Sequence, residues 1–363
     1  MNCYIHLPFC RSKCGYCAFY SEVGVAPATV RAYLDKLERD LAEADLKGRC
    51  GTIYLGGGTP TLLPLPELER LFAIIETRLA PAAGCEVSIE ANPETLDGDK
   101  VALLREHVTR ISLGVQSFDA KLRTRLGRSC SDEAIAKALE LIRNADFPHR
   151  NIDLIYAIPG GDMETWRSDL RRAADAGIDH LSCYSLTPEE GSRLGPLLAV
   201  DDALAGDLYD AIPEVLAPYG IRRYEISNYA RSGAECRHNV GVWRGEALAG
   251  FGPAAAGFDG TDRRSEVSDL GKWLAGAPPE VDRIPRDARL AEIFAVNLRT
   301  VAGWTPELWE QVPRADSWER RRAVAAKSAE NMPPGWWKIS PGCIKLSAEG
   351  LCFWNTVAEA LLP

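Results

Sequence analysis

No stretch of this 363-residue chain approaches 18 uninterrupted apolar residues, so a membrane-spanning helix is not expected. The opening residues Met1-Asn2-Cys3-Tyr4-Ile5-His6 lack a basic segment followed by a long apolar one. A secretory signal is therefore not expected, and the expected location is the cytoplasm. Positive charge is in short supply: 42 Lys and Arg stand against 51 Asp and Glu, a net charge of −9. That balance argues against broad electrostatic attraction to nucleic acid or anionic lipid. Internal repeats and low-complexity tracts are absent as well. With 46% hydrophobic and 26% charged residues, the composition is that of a globular protein with one large core and room for a smaller appendage.

Cysteine is not scarce. There are 11, and a cytosolic chain keeps most of them as thiols, so a tight cluster points to metal rather than to disulfides. Only Cys10, Cys14 and Cys17 lie close together in sequence. Cys50, Cys85, Cys130, Cys183, Cys343 and Cys352 are expected to be small core residues.

Apolar, β-rich runs at 4–7, 52–55, 86–90, 110–115, 151–155 and 180–185 alternate with helical patterns at 27–46, 65–79, 97–106, 132–144 and 162–176. Ser131-Asp132-Glu133 opens one of these helices with groups suited to an N-terminus, and Ile135, Ala138, Leu139 and Ile142 recur at helical spacing. Strands separated by crossover helices predict an α/β fold with a parallel sheet. The unusual residues all fall at strand C-termini, the functional face of βα barrels. The expected fold is a partial (βα)6 barrel over residues 1–235. Residues 236–285 read as a connecting region, with 278–285 a linker. A small C-terminal helical or winged-helix domain follows over 286–363, with a turn near Gly350 and a final helix.

Three residues carry the first chemical reading. The spacing C-x3-C-x2-C on a loop after a strand lets three thiolates hold three irons of a [4Fe–4S] cluster and leave the fourth iron open. A partial zinc site, completed by Cys3 or His6, and plain buried thiols are the alternatives. Gly56-Gly57-Gly58-Thr59-Pro60 follows the second strand, where glycines let the backbone approach a ligand closely. No Gly-Lys-Ser/Thr follows, so this is not a phosphate loop.

Together, Tyr4-Ile5-His6-Leu7-Pro8-Phe9-Cys10, the cysteine triad and the GGGTP segment resemble radical-SAM proteins. Within them they are similar to the family of oxygen-independent coproporphyrinogen III oxidase and the HemW-type heme chaperones. The segments Ser88–Pro93, Leu113–Phe118, Asn151–Ile155 and Ser182–Pro188 agree, so the resemblance covers nearly the whole chain. It implies a [4Fe–4S] cluster on Cys10, Cys14 and Cys17, whose open iron takes S-adenosylmethionine. It further implies contacts to this cosubstrate from Tyr4, Gly57 and Glu90. Tyr16, Gly58, Thr59, Gln116, Arg128 and Asp153 match positions around a second S-adenosylmethionine in the oxidase. Carboxylates suit ribose hydroxyls and ammonium groups, and a guanidinium suits a carboxylate.

Two departures point from oxidase to chaperone: Phe19 stands where the oxidase carries a further cysteine, and the oxidase's long N-terminal extension is not seen before Tyr4. Arg237-His238-Asn239-Val240-Gly241-Val242-Trp243 resembles the HNxxYW motif linked to heme binding, with Val242 in place of tyrosine. His238 is the implied axial ligand, Cys236 a second, less favoured soft ligand, and Trp243 the ring covering a porphyrin face. A histidine found further on in the family is Ala256 here. The resemblance thus implies heme delivery to an acceptor hemoprotein, respiratory and membrane-associated ones included, without nucleic acid. It leaves a homodimer open. The competing expectations are a true radical-SAM oxidoreductase acting on a porphyrinogen, and a cluster protein without turnover.

Overall fold

A computed structural model of the chain describes residues 1–187, 189–195 and 201–362. Pro188, which ends one of the family-like segments, and Pro363 lie outside the described residues. Six parallel strands form the centre of the molecule in sequence order: β1 (Asn2–Leu7), β2 (Thr52–Gly57), β3 (Glu86–Ala91), β4 (Arg110–Gln116), β5 (His149–Tyr156) and β6 (His180–Ser185). Five helices cross between them: α1 (Pro27–Ala44), α2 (Leu65–Arg78), α3 (Gly98–His107), α4 (Asp132–Ala145) and α5 (Met163–Asp175). Each expected strand and helix of this half is present, with ends displaced by one or two residues.

Local chemistry explains the helix starts. The Ser131 hydroxyl accepts from Ala134 N at 3.2 Å and opens α4; the Asp162 carboxylate accepts from Thr165 N at 2.8 Å and opens α5. Helix α4 then buries Ile135, Ala138 and Ile142 as one stripe. In β1 the residue period of 2 divides two environments: Cys3, Ile5 and Leu7 join the core under the helices, while Asn2, Tyr4 and His6 carry the polar contacts described below.

The stretch 236–285, expected as a connecting region, instead enlarges the sheet. The strand Leu248–Phe251 pairs parallel with β1, and Ala256–Phe258, Asp262–Ser265 and Glu280–Arg283 continue it antiparallel. The expected linker at 278–285 therefore holds an edge strand. Its sequence, Glu-Val-Asp-Arg, is polar and exposed because it pairs on one side only. On the other side β6 pairs with Asn228–Ala230, which pairs with Arg222–Arg223. Among the described residues the sheet has twelve strands and its two end strands do not meet, so the barrel is partial.

A second core belongs to the C-terminal part. There Leu290, Phe294, Trp304, Trp309, Ile344 and Val357 pack between helices Arg286–Asn297, Trp318–Glu330 and Trp354–Glu359 and a hairpin of Trp337–Ser340 with Cys343–Leu346. Gly350, expected in a turn, sits inside the short helix Ala348–Cys352. A Cβ there would lie 2.4 Å from the Trp336 carbonyl oxygen, so close helix-to-backbone packing, not a turn, is what requires the glycine.

Candidate cofactor site at the barrel mouth

The loop after β1 carries Cys10, Cys14 and Cys17, all half-buried and free. Several contacts hold it. Gly15 N donates to Leu126 O at 2.9 Å, Leu194 N donates to Gly15 O at 2.8 Å, and Arg193 Nη2 donates to Lys13 O at 2.8 Å. A Cβ on Gly15 would meet the Leu194 side chain at 2.7 Å, so any larger residue there would have to displace that side chain. Beneath it Tyr16 packs on Leu122, Leu126, Ile155, Ile158 and Leu186. Burial holds the Cys10 and Cys17 thiols above their ordinary range, so taking up metal at these sulfurs releases protons.

The glycine segment closes against the same loop. Gly58 N donates to Leu7 O and Thr59 N to Phe9 O, both at 2.8 Å. Gly57 has φ +108°, and a Cβ would fall 2.6 Å from the His6 ring; one on Gly58 would fall 2.6 Å from Phe9 O. Only glycine satisfies both demands. Thr59 Oγ1 lies 3.9 Å from Cys10 Sγ, and Arg128 Nη1 donates to Cys14 Sγ at 3.7 Å while its Nη2 donates to Gly114 O.

His6 is settled by its partners. A carbonyl only accepts, so Nε2–H donates to Tyr20 O at 2.9 Å, and Nδ1 then accepts from Tyr4 OH at 3.0 Å. Both nitrogens are committed, and Cys3 is buried on the helix side of β1. The zinc alternative loses both of its candidate fourth ligands. Among the described residues no three His, Cys, Asp or Glu side chains are grouped to hold a single metal ion. Three thiolates that each bind a different iron need no such convergence, so the donor set fits an open [4Fe–4S] cluster.

Deeper in the lumen, Glu90 at the end of β3 accepts from Tyr54 OH at 3.0 Å and from Gly57 N at 3.1 Å. Burial, and then the nearby Asp153 carboxylate, push Glu90 up to about 7. Asp153 on β5 is also raised by burial. It accepts from Ser112 Oγ and from Asn151 Nδ2, each at 2.8 Å. Gln116 is buried at a bulge that ends β4 and has φ +71°, a conformation rare for a non-glycine residue. Ser117 Oγ and Phe118 N beyond it donate to the buried Asp169 carboxylate of α5 at 2.6 and 2.9 Å.

Tyr4, the three cysteines, Tyr16, Gly57, Gly58, Thr59, Glu90, Gln116, Arg128 and Asp153 are thus placed at one end of the sheet. His238 and Trp243 are not. They belong to helix Arg237–Trp243, at the opposite end, where His238 Nδ1 meets Thr52 Oγ1 at 2.8 Å at the start of β2. The His238 ring is 5% exposed and lies 5.1 Å from the Tyr54 ring. Trp243 packs 6.2 Å from Tyr224, with the Arg299 guanidinium 4.9 Å over its ring. In this arrangement the His238 ring is buried against protein and Trp243 is half-buried, so a porphyrin would reach the His238 nitrogens only if the helix left its seat. Sequence reasoning missed Tyr54 and Asn151, which hold the two lumen carboxylates. Their signal was the strand period, which puts Tyr54 on the same face as Thr52 and Asn151 on the same face as Asp153.

A model of the radical SAM superfamily matches residues 4–173. The chain is 32% identical over 320 residues to the heme chaperone HemW of Lactococcus lactis, covering 85% of this chain and 84% of that protein. It is 36% identical over 342 residues to HemW of Mycobacterium tuberculosis H37Rv, with 89% and 86% covered. The structure of coproporphyrinogen III oxidase (HemN) from Escherichia coli superposes with a TM-score of 0.84 at 21% identity, covering 99% of this chain and 89% of that one. At that identity the likeness concerns the fold. Among the described residues no helix is long and apolar enough to cross a membrane.

Proposed function

The chain belongs to the HemW/HemN-like radical SAM family, and from that premise we propose that it is a heme chaperone, binding heme and delivering it to an acceptor hemoprotein. The observation that carries this reading is similarity across most of the chain, above 30%, to proteins named as heme chaperones, against 21% to the oxidase. The mouth of the barrel supports it. Two residues beyond Cys17 the chain offers no fourth thiol but Phe19, 71% exposed.

In this reading Cys10, Cys14 and Cys17 hold a [4Fe–4S] cluster. When bound, the cluster supplies an iron site open to the amino and carboxylate groups of S-adenosylmethionine. Tyr4, Gly57 and Glu90 line the cosubstrate's place. Glu90, anchored by Tyr54 and Gly57 N–H, keeps lone pairs for a hydroxyl or ammonium donor. Arg128 beside Cys14 adds positive charge next to the thiolates. Gly58, Thr59, Gln116, Asp153 and Tyr16 form the wall beyond.

Anaerobic heme titration of the reconstituted protein tests the function. A saturable, stoichiometric Soret band is expected, followed by its transfer to an added apo-hemoprotein. Stoichiometric propionate-to-vinyl conversion of a porphyrinogen, read by mass spectrometry, would replace the chaperone reading with that of a radical oxidoreductase.

A further inference from the structure

The barrel floor contains a polar network that the cosubstrate site does not use. Helix Arg237–Trp243 lies against the first residues of β1, β2 and β3. Its N–H groups at Arg237 and His238 donate to the buried Glu86 carboxylate of β3 at 3.1 and 2.9 Å. Arg110 of β4 donates to the same carboxylate at 3.4 Å and to Ala234 O at 2.7 Å. A Cβ on Gly241 would lie 2.8 Å from Asn2 Nδ2 and from Glu246 Oε2, so the helix is seated at close range.

The direction of each hydrogen bond follows from its charged end. Glu246 only accepts, so Asn2 Nδ2 donates to it at 3.2 Å, and Asn2 Oδ1 is left to accept from Thr52 Oγ1 at 2.7 Å. The Thr52 hydroxyl has then spent its proton, so at 2.8 Å it accepts from His238 Nδ1–H. Burial brings His238 down to about 4, and the ring is neutral near pH 7. It is thus one tautomer in one orientation, packed 5.1 Å from Tyr54, whose hydroxyl holds Glu90.

A second column reaches the same helix from Asp153. Asn151 donates to Asp153, accepts from His180 Nδ1–H at 2.7 Å, and His180 Nε2 accepts from Tyr224 OH at 2.8 Å. Tyr224 in turn accepts from Cys236 N, the residue capping the helix, at 3.4 Å.

We propose that His238 is a positioning residue for the cosubstrate end of the lumen: oriented by Glu246, Asn2 and Thr52, it sets Tyr54 and through it Glu90, and its helix serves as the barrel floor. This inference rests on Glu90 contacting S-adenosylmethionine. The same tautomer leaves the lone pair on Nε2, the nitrogen a heme iron would take, so heme ligation is the competing outcome.

The test compares anaerobically reconstituted wild type, His238→Ala, His238→Asn and Glu246→Gln. Cluster content is measured first, then S-adenosylmethionine affinity by equilibrium dialysis, the change it makes in the EPR spectrum of the reduced cluster, and heme titration. His238→Ala is expected to keep its cluster and its heme stoichiometry, lose about tenfold in S-adenosylmethionine affinity and alter the EPR change. His238→Asn, whose amide still donates to Thr52, recovers most of that loss, and Glu246→Gln shows a smaller loss in the same direction. If the alanine variant loses its cluster, the asparagine and glutamine variants carry the comparison. Unchanged S-adenosylmethionine affinity overturns the proposal, and so does loss of the Soret band in a variant that keeps its cluster. Wild-type protein that holds its cluster yet binds no S-adenosylmethionine removes the cosubstrate reading itself.

Discussion

Glu90 is a lumen carboxylate that burial, and then the neighbouring Asp153 carboxylate, hold largely protonated below neutral pH. Its value near 7 lies above the ordinary 4.5, so in the ligand-free protein its contribution favours the folded state below about 4.5 and is lost as pH rises through 7. Thermal melts of wild type and Glu90→Gln are expected to diverge between pH 5.5 and 8, with the variant gaining relative stability at the higher end. S-adenosylmethionine affinity runs the other way, increasing over the same interval as Glu90 ionises, and Glu90→Gln flattens it. Parallel profiles for wild type and variant would show that Glu90 does not titrate there. The cysteines make a simpler prediction. Replacing any one of Cys10, Cys14 and Cys17 by alanine should bring iron and sulfide in the reconstituted protein down to background, whereas Cys343→Ala should leave both unchanged. Retention of a full cluster by Cys14→Ala would remove that residue from the ligand set.

Among the elements, the helix starts and one close packing are open to direct measurement. Ser131→Ala removes the hydroxyl that accepts from Ala134 N, and is expected to cost about 1 kcal/mol in urea unfolding. Gly350→Ala poses two opposed effects. Alanine favours a helix interior over glycine by about 1 kcal/mol. Its Cβ would lie 2.4 Å from the Trp336 carbonyl oxygen, and overpacking of that kind costs about 1–3 kcal/mol. Because the obstacle is backbone, the second effect should win, and a net loss of stability is expected. A neutral or stabilising result would mean that the helix Ala348–Cys352 can shift away.

In the whole molecule, two cores meet through Glu225 and Arg299. Glu225 is 0% exposed, accepts from Ser227 N at 2.7 Å and Asn228 Nδ2 at 2.6 Å, and pairs with Arg299 at 2.9 Å. Arg299 also covers Trp243 of the floor helix and Trp354 of the last helix, at 4.9 and 5.2 Å. Arg299→Ala would leave a buried carboxylate without its cation, and a loss of about 3 kcal/mol is expected, with calorimetry resolving two transitions in place of one. An unchanged single transition would show that the two parts are joined by other contacts. The sequence by itself determined the six strands, the five crossover helices and the cysteine loop, because period-2 apolar runs, helix caps and a clustered thiol spacing are local signals. It also placed the glycine segment beside that loop, since both follow neighbouring strands. It could not decide 236–285, where weak, polar strands exist only because β1 and its neighbours offer an edge to pair with. Nor could it decide His238. A histidine beside a tryptophan reads alike as a heme ligand or a core group. Which one it is depends on Asn2, Thr52 and Tyr54, residues far away in the chain that the closing of the sheet brings against the ring.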